Sequence, residues 1–188
     1  MKNSASVFLV CILFFSVTNL VTAQQTQTQY LSGTDKDHTV EWDFYCTGGR
    51  QSSLWSKIPV PSHWEFQGFG TYNYGTEQNL SDEQGKYKHT FTVPMSWAGK
   101  KVYIVFEDSM TDTEVWINHK PAGPKHQGAF YQFKYDITDM LNYDTDNMLE
   151  VTVSKMSSNQ TVNDAERSAD YWVFGGIFRP VYLQALPR

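Results

Sequence analysis

The sequence predicts an all-β protein, an antiparallel sandwich of short strands. Short segments in which apolar and polar residues alternate recur along the chain, and turn residues separate them. Phe, Trp and Tyr together make up 15% of the residues. Alternation with a period of two places successive side chains on opposite faces of a strand, and aromatic and β-branched residues suit a half-buried pleated surface. We therefore expect two packed sheets and almost no helix.

Each predicted strand rests on this alternation and ends at turn residues. A last strand is expected after Gly176, and residues 136–141 are the only segment that suggests a short helical turn. Asn118 and His119 occupy a hairpin turn in which His119 must adopt a positive φ angle, a conformation that His tolerates better than most residues. The alternating segments are residues 40–46, 87–93, 101–106, 113–118, 130–135 and 149–154.

The N-terminus carries a targeting signal. Lys2, the apolar run 7–17 and the small residues before Gln24 predict a secretory signal peptide over residues 1–23, with an apolar run too short to span a bilayer. A lipoprotein site at Cys11 is disfavoured because the preceding residue is bulky and the apolar run continues past it. Residues 24–37 are predicted to be a polar linker and residues 38–188 the sandwich, so the mature protein is expected in the periplasm or outside the cell.

Charge and cysteine content narrow the possible partners and cofactors. The formal net charge of −5 argues against nucleic acid and anionic membrane surfaces as partners. Without residues 1–23, Cys46 is the only cysteine, and its place at the end of an apolar stretch predicts a buried thiol and no intramolecular disulfide. The five histidines show no paired spacing, so no metal site is predicted.

The segment 170–179 is the most informative part of the chain for function. Asp170 precedes Tyr171 and Trp172, and Gly175 and Gly176 follow. A carboxylate accepts hydrogen bonds from sugar hydroxyls while an aromatic face covers the apolar C–H patch of a sugar ring. The residues alone leave two interpretations open, a sugar contact or an aromatic pair in the core beside a solvated acid.

This segment resembles the end of the N-terminal sugar-binding domain of family 2 glycoside hydrolases, the group that contains β-galactosidases, β-glucuronidases and β-mannosidases. The matching positions are Asp170, Tyr171, Trp172, Gly176, Ile177, Phe178 and Arg179. Other segments resemble the same domain in the same order along the chain, namely residues 58–65, 85–88, 91–94, 115–118 and 126–130. The resemblance implies a galactose-binding-domain-like jelly roll and an acid at position 170 that reaches into the active site of an adjoining barrel.

The resemblance also implies that hydrolysis of β-O-glycosidic bonds belongs to other domains. In this family the catalytic carboxyls come from a (β/α)₈ barrel that follows an immunoglobulin-like domain, and this sequence contains no Asn-Glu pair, the dipeptide that carries the family's acid/base. We expect a non-catalytic domain whose partners are a β-linked oligosaccharide or polysaccharide and those missing domains. No cofactor is expected for this chain, and the resemblance leaves open a Na⁺ or Mg²⁺ ion in the full-length enzyme.

Five residues are candidate accessory sugar contacts, and Asp170 is the first of them. Trp172 or Tyr171 would wall a sugar subsite, or else close the end of the sandwich. Asp82 lies where galactosidase-like members place an asparagine, and His126 and Gln127 lie on a loop that could face the active site. For all three residues a solvated loop position is the favoured alternative. Further along, Glu166 and Arg167 are expected to form a local ion pair and Arg179 to pair with a buried acid.

Two other functions remain open at this stage. A stand-alone carbohydrate-binding module would use the same exposed aromatics without hydrolysis, and a purely structural or interaction domain would keep only the fold. The identity of the sugar is also open. The loop at 126–128 resembles glucuronidase-like members, whereas the acid-aromatic segment at 170–172 resembles galactosidase-like ones.

Overall fold

The computed structural model describes residues 25–187 as two antiparallel sheets packed face to face, with a two-stranded ribbon beside them. The predicted all-β sandwich is therefore confirmed. One sheet has the order β1-β12-β6-β9 and the other the order β3-β2-β5-β10-β7-β8, while β11 and β4 form the ribbon. The predicted signal peptide and the alternative site at Cys11 lie outside the described residues.

The elements alternate short strands with tight turns. The 3₁₀ turns are Trp64–Gln67, Met95–Trp97 and Thr138–Met140, and the one α-helix of the described part, α1, is Gln160–Glu166. The strands are β1 (Gln27–Tyr30), β2 (Val40–Cys46), β3 (Trp55–Val60), β4 (Asn73–Tyr74), β5 (Gln84–Thr92), β6 (Lys101–Phe106), β7 (Asp112–Ile117), β8 (Lys120–Pro121), β9 (Phe133–Asp136), β10 (Asp146–Ser154), β11 (Trp172–Val173) and β12 (Val181–Leu186).

The core lies between the two main sheets and is built by the alternation that the sequence shows. In β10, Leu149, Val151 and Val153 are buried, while the residues between them are only half-buried. Removing these apolar side chains from water is the main force that holds the sheets together. Other fully buried core residues are Trp42, Phe44, Ile58, Trp64, Tyr87, Ile104, Phe106 and Ile117.

Several local predictions are confirmed. Cys46 is a buried free thiol. Asn118 and His119 have φ angles of 51° and 64°, as the hairpin between β7 and β8 requires. The helical turn expected within residues 136–141 is the 3₁₀ turn Thr138–Met140. Local sequence signals were therefore sufficient to predict the two turns.

The predicted linker at 24–37 is wrong over part of its length. Residues 27–30 form β1, which pairs with β12 from Gln27 opposite Ala185 to Tyr30 opposite Tyr182. Leu31, directly after the strand, is buried. Polar side chains did not prevent the strand because an edge strand is held by backbone hydrogen bonds and leaves most of its side chains in water.

Three other expectations about secondary structure need correction. Helix α1 lies outside residues 136–141, and its first turn is capped by Asn159, whose side chain accepts a hydrogen bond from Thr161 N at 3.1 Å. The strand expected at 130–135 begins only at Phe133, because Phe130 has a φ of 74°. The strand expected directly after Gly176 begins only at Val181, after Pro180.

Candidate functional site

The candidate site is an exposed edge of the molecule formed by the ribbon of β4 and β11. Trp172 pairs with Tyr74 and Val173 with Asn73, which brings residues 72–74 next to the acid-aromatic segment. Trp172 is 51% exposed, and its ring meets Tyr74 edge-on at 5.1 Å and Tyr72 at 5.8 Å between centroids. One face of the indole is therefore supported by protein while much of the side chain remains open to water.

Asp170 is exposed in the segment that leads into this indole, and its carboxylate lies near Tyr74. The interaction with this acid is the main reason that the pKa of Tyr74 is raised. A carboxylate has about four lone-pair positions, so an exposed one has accepting capacity for a ligand. Asp170 is thus an acceptor facing solvent.

Tyr171 has a different role from its neighbours. Its hydroxyl donates a hydrogen bond to the backbone carbonyl of Glu166, at the end of α1. The bond closes the short loop between α1 and β11 and thereby limits where Asp170 can lie. The structure thus gives Tyr171 a tethering contact, while its ring stays partly exposed.

The glycine pair after the aromatics permits a close approach of the chain to Trp64. A Cβ atom at Gly175 would lie 2.0 Å from the Trp64 ring, so no side chain fits there. Gly176 has a φ of 124°, a conformation that side-chain-bearing residues rarely adopt. The backbone N–H of Gly175 donates to both carboxylate oxygens of Glu65 at 3.1 Å.

Glu65 belongs to a buried charge cluster, which we define as Glu65, Glu83 and Lys155. The Lys155 ammonium lies 3.0 Å from Glu65 Oε1 and 3.3 Å from Glu83 Oε1, and all three side chains are buried. Burial raises the pKa of the Glu65 carboxyl, and the Lys155 ammonium opposes that shift. Glu83 also accepts from Thr71 N at 2.7 Å. The cluster therefore ties residues 65–71 and β10 to the turn at Gly175.

A second buried cation supports the same turn. The guanidinium of Arg167 donates to the Phe174 carbonyl, and burial lowers the pKa of Arg167 to about 10. The predicted ion pair between Glu166 and Arg167 is wrong: no such pair within 4.0 Å occurs in the described part of the chain. The Glu166 carboxylate instead accepts a hydrogen bond from Ala129 N at 2.7 Å and thereby closes the neighbouring loop.

The prediction for Arg179 is confirmed. Its Nε lies 3.6 Å from Oδ2 of Asp108, whose side chain is buried. Asp108 also accepts from Phe130 N at 2.6 Å, and burial raises its pKa. The pair fixes the start of β12 relative to the loop at 130.

His126 and Gln127 do not join the site at Asp170. The His126 ring stacks on Phe133 at 3.9 Å, and its backbone pairs in both directions with Thr113 at 2.9 Å. Burial lowers the pKa of His126. Gln127 donates to Asp112 at 3.2 Å and to Ser158 at 2.9 Å. Both residues hold a loop against the sandwich.

Asp82 is exposed in the connection between β4 and β5. Its neighbour Ser81 donates to Asn73 Oδ1 from its hydroxyl at 2.6 Å and from its backbone N–H at 3.0 Å. The connection therefore supports β4 through Ser81 and Asn73. No contact of Asp82 with Asp170 or Trp172 occurs among the interactions of residues 25–187.

The residues that complete this edge were not predicted from the sequence. We define the aromatic edge as Phe66, Tyr72, Tyr74, Trp172 and Phe174. Phe66 is 60% exposed and lies 4.6 Å from Phe174, which lies 6.0 Å from Tyr72, so the rings are continuous. The available signal was the cluster of tyrosines between Gly70 and Gly75, but only the pairing of β4 with β11 shows that they reach Trp172.

A groove of about 590 Å³ continues from this edge past His63, Phe66 and Phe178. The His63 ring stacks on Phe178 at 4.9 Å and its Nδ1 lies 3.4 Å from the Gly175 carbonyl. Burial lowers the pKa of His63 to about 4, so this imidazole is neutral near pH 7. The edge is therefore large and apolar, with Asp170 as its exposed acid.

Within residues 25–187, no three His, Cys, Asp or Glu side chains come together as possible metal ligands. A Na⁺ or Mg²⁺ ion in the full-length enzyme stays a prediction from the resemblance. No helix in the same range has the length and apolar character needed to cross a bilayer.

Comparison with known proteins identifies the family. Residues 50–187 match the model described as "Glycosyl hydrolases family 2, sugar binding domain". The chain belongs to glycosyl hydrolase family 2. It is similar to a β-galactosidase of Priestia megaterium, with 32% identity over 149 residues, 71% of this chain and 14% of the relative. A β-galactosidase of Streptococcus thermophilus is 32% identical over 161 residues, 78% of this chain and 15% of the relative.

A solved structure of this family 2 group shows the same arrangement. The β-glucuronidase of Bacteroides uniformis superposes with a TM-score of 0.64 and 28% identity, over 87% of this chain and 18% of that chain. The family 2 domain thus spans less than a fifth of each of these relatives. The activities in their names are those of much longer proteins.

Proposed function

We propose that this family 2 domain is the non-catalytic N-terminal part of an exported β-glycosidase and completes the pocket for the terminal sugar beside a catalytic barrel. The observation that carries the proposal is the exposed Asp170 carboxylate, near Tyr74 and two residues before the half-exposed Trp172. The sugar-binding description of the family and the enzyme names of the relatives support it.

The chemistry of the edge suits a sugar ring. The Asp170 carboxylate accepts hydrogen bonds from two hydroxyls, and the indole of Trp172 covers an apolar C–H face. Because Tyr171 closes the loop that carries Asp170, less conformational entropy is lost when the sugar binds. The exposed apolar rings of Phe66 and Phe174 next to this pair form the surface on which a neighbouring domain would pack.

Hydrolysis is assigned to that neighbouring domain. A retaining glycosidase needs two carboxyls about 5–5.5 Å apart, one as nucleophile and one as acid/base. At the edge, Asp170 is the exposed carboxylate beside Trp172. Its proposed role is to hold the substrate, a β-linked oligosaccharide or polysaccharide, while the barrel acts on it.

The decisive test uses the polypeptide in which this domain is joined to its downstream domains. Asp170→Asn removes the charge of an acceptor to sugar hydroxyls, worth about 1.5–3 kcal/mol, and is expected to lower kcat/KM roughly 10- to 150-fold on an aryl β-galactoside or β-glucuronide. Asp82→Asn makes the same chemical change at another exposed acid and is the matched control. Equal kcat/KM for both variants would contradict the role of Asp170.

A stand-alone carbohydrate-binding module is the second candidate, favoured by the half-exposed Trp172. In that case the isolated chain binds methyl β-galactoside or methyl β-glucuronide saturably, and Trp172→Ala removes the binding. Under the first proposal the isolated edge binds these glycosides only weakly because half of the pocket is missing. Hydrolysis by the isolated chain would contradict both candidates.

Export is a part of the proposal that rests on residues 1–23 alone. Signal peptidase cleavage after Ala23 is expected to give a mature protein that begins with Gln24. N-terminal sequencing of the protein recovered from the periplasm or medium tests this. Recovery of the uncleaved chain from the cytoplasm would contradict it.

A further inference from the structure

A second groove lies on the outer face of the six-stranded sheet and shares no residue with the aromatic edge. It encloses about 440 Å³, within the range of small-ligand sites. We define the sheet groove by its six outward-facing residues. They are Trp55, Lys86, Lys88, Trp116, Glu150 and Thr152.

Strand alternation places these side chains on one face. Tyr87 and Val151 point into the core, so their neighbours in β5 and β10 point outward. The register sets Lys86 opposite Thr152 and Lys88 opposite Glu150. The floor of the groove is therefore polar and rests on two central strands of the sheet.

Two tryptophans form the walls of the groove. Trp55 lies in β3 and Trp116 in β7, four strand spacings apart, which is about 19 Å between backbones. Trp55 is 50% exposed, and the Lys88 ammonium lies 5.1 Å from its ring centroid, so the indole leans toward the floor. Indoles on the two sides of a polar floor match the apolar C–H faces and hydroxyl rim of a pyranose chain.

The floor carries one cation without a carboxylate partner. Lys88 pairs with Glu150 at 3.3 Å, and His119 Nδ1 contacts the other oxygen of Glu150 at 2.9 Å. Lys86 faces the Tyr45 ring at 5.8 Å, and no ion pair within 4.0 Å involves it anywhere in residues 25–187. The sheet groove therefore has an excess of positive charge, although the chain as a whole is acidic.

We propose that the sheet groove binds an acidic oligosaccharide, with pyranose rings against Trp55 and Trp116 and a uronate carboxylate at Lys86. The polar floor offers donors and acceptors for hydroxyls, which an apolar protein partner would leave unsatisfied. Because the Debye length is about 8 Å at physiological salt, the local charge at Lys86 outweighs the distant acidic residues. The sheet groove would thus bind polymeric substrate at a second position, distinct from the pocket at Asp170.

The test is a calorimetric titration of the chain with two matched probes: cellotetraose, and the tetrasaccharide in which each C6 of the same backbone is oxidised to a carboxylate. The acidic probe is expected to bind about two- to fivefold more tightly at low salt, the range of an exposed ion pair, and the preference should disappear in high salt. Lys86→Gln should equalise the two probes. Trp55→Ala or Trp116→Ala should weaken both about tenfold or more.

Two controls separate this site from the proposed function. Trp172→Ala should leave the affinities for both probes unchanged, because Trp172 lies at the aromatic edge and not in the sheet groove. Lys57→Gln removes an exposed lysine of β3 that pairs with Asp43 and does not line the groove, and it should keep the preference for the acidic probe. The variants are compared after their unfolding midpoints have been measured.

Several results would overturn the proposal. One is equal affinity of the unsubstituted chain for both probes. Another is the absence of binding of either probe at concentrations up to about 10 mM. A third is loss of binding in Trp172→Ala. Sedimentation that shows a dimer whose Trp55 fluorescence is shielded would assign the groove to a second copy of the chain. Unchanged binding in Trp55→Ala and Trp116→Ala would show that these two tryptophans do not contact the oligosaccharide.

Discussion

The buried charge cluster and the aromatic edge are close together and use similar residue types in opposite ways. Glu65, a carboxylate, is buried, paired with Lys155 and bonded to the N–H of Gly175. Asp170, five residues before that glycine, is exposed to solvent. Burial and full pairing fix backbone geometry, whereas exposure and spare acceptor capacity leave a group free to meet a ligand. The first region positions the second.

This contrast predicts that the two regions respond differently to substitution. Changes in the cluster should lower the free energy of unfolding, because a buried charge without its partner is costly. Changes at the exposed edge should leave stability nearly unchanged and act on binding. The following experiments can separate the two regions or show that they are not distinct.

The largest effect is expected for Lys155→Met. The substitution leaves Glu65 and Glu83 buried without their shared cation, which should cost about 3–5 kcal/mol in the free energy of unfolding. Urea denaturation measures the change. Lys57→Met is the matched control, because Lys57 forms an exposed pair with Asp43 that contributes about 1 kcal/mol or less. Similar losses for the two variants would remove the distinction between cluster and surface.

A smaller loss is expected for Gly175→Ala. The added Cβ would lie 2.0 Å from the Trp64 ring, so the turn must shift, at a cost of about 1–3 kcal/mol. Gly48→Ala is the control, because its Cβ would meet Glu83 Cβ at an ordinary 3.4 Å. Thermal unfolding compares them. If Gly175→Ala were as stable as Gly48→Ala, the turn would not be held against Trp64.

His63 sharpens the comparison through pH. Its folded-state pKa of about 4 lies below the usual 6.5, so the unfolded chain binds more protons and stability is lost as the pH falls from 6.5 toward 4. The shift corresponds to about 3 kcal/mol at most. His63→Phe should flatten the pH dependence of the free energy of unfolding in this window.

Some slope should remain in that variant, because burial also lowers the pKa of His89 and His126. Urea midpoints at several pH values between 4 and 7 measure the slope for both proteins. An unchanged slope in His63→Phe would mean that this imidazole is protonated as easily in the folded chain as in the unfolded one.

The smallest change in stability is expected at the exposed edge. Asp170→Asn and Tyr74→Phe change polar groups at the surface of the ribbon, so the free energy of unfolding should stay nearly unchanged. In the longer enzyme, both variants should weaken sugar binding. Destabilisation comparable to that of Lys155→Met would show that Asp170 has a structural role.

The sequence was sufficient wherever the structural signal was local. Alternation located β2 and β6 at their observed bounds, and the hairpin at Asn118 followed from turn chemistry. It failed at β1, where backbone pairing to a strand about 150 residues away outweighs a polar composition. Helix α1 was also not predicted from the sequence, and the local signal for it was the capping residue Asn159.

The site divides in the same way. Asp170 and Trp172 were singled out from their own segment and its resemblance to a family. Their partners could not be, because Tyr74 and Glu65 come from segments about 100 residues earlier and reach the turn only through strand pairing and burial. Such long-range contacts leave no periodic trace in the sequence.

The pairing of β1 with β12 has a practical consequence. Gln27 lies opposite Ala185, so the polypeptide enters the domain beside the point where it leaves β12. A fluorophore or affinity label fused directly ahead of β1 would therefore sit next to the end of β12, and would report on, or obstruct, that edge of the sheet. Attachment sites for labelling or immobilisation are better chosen on loops at the opposite end of these two strands.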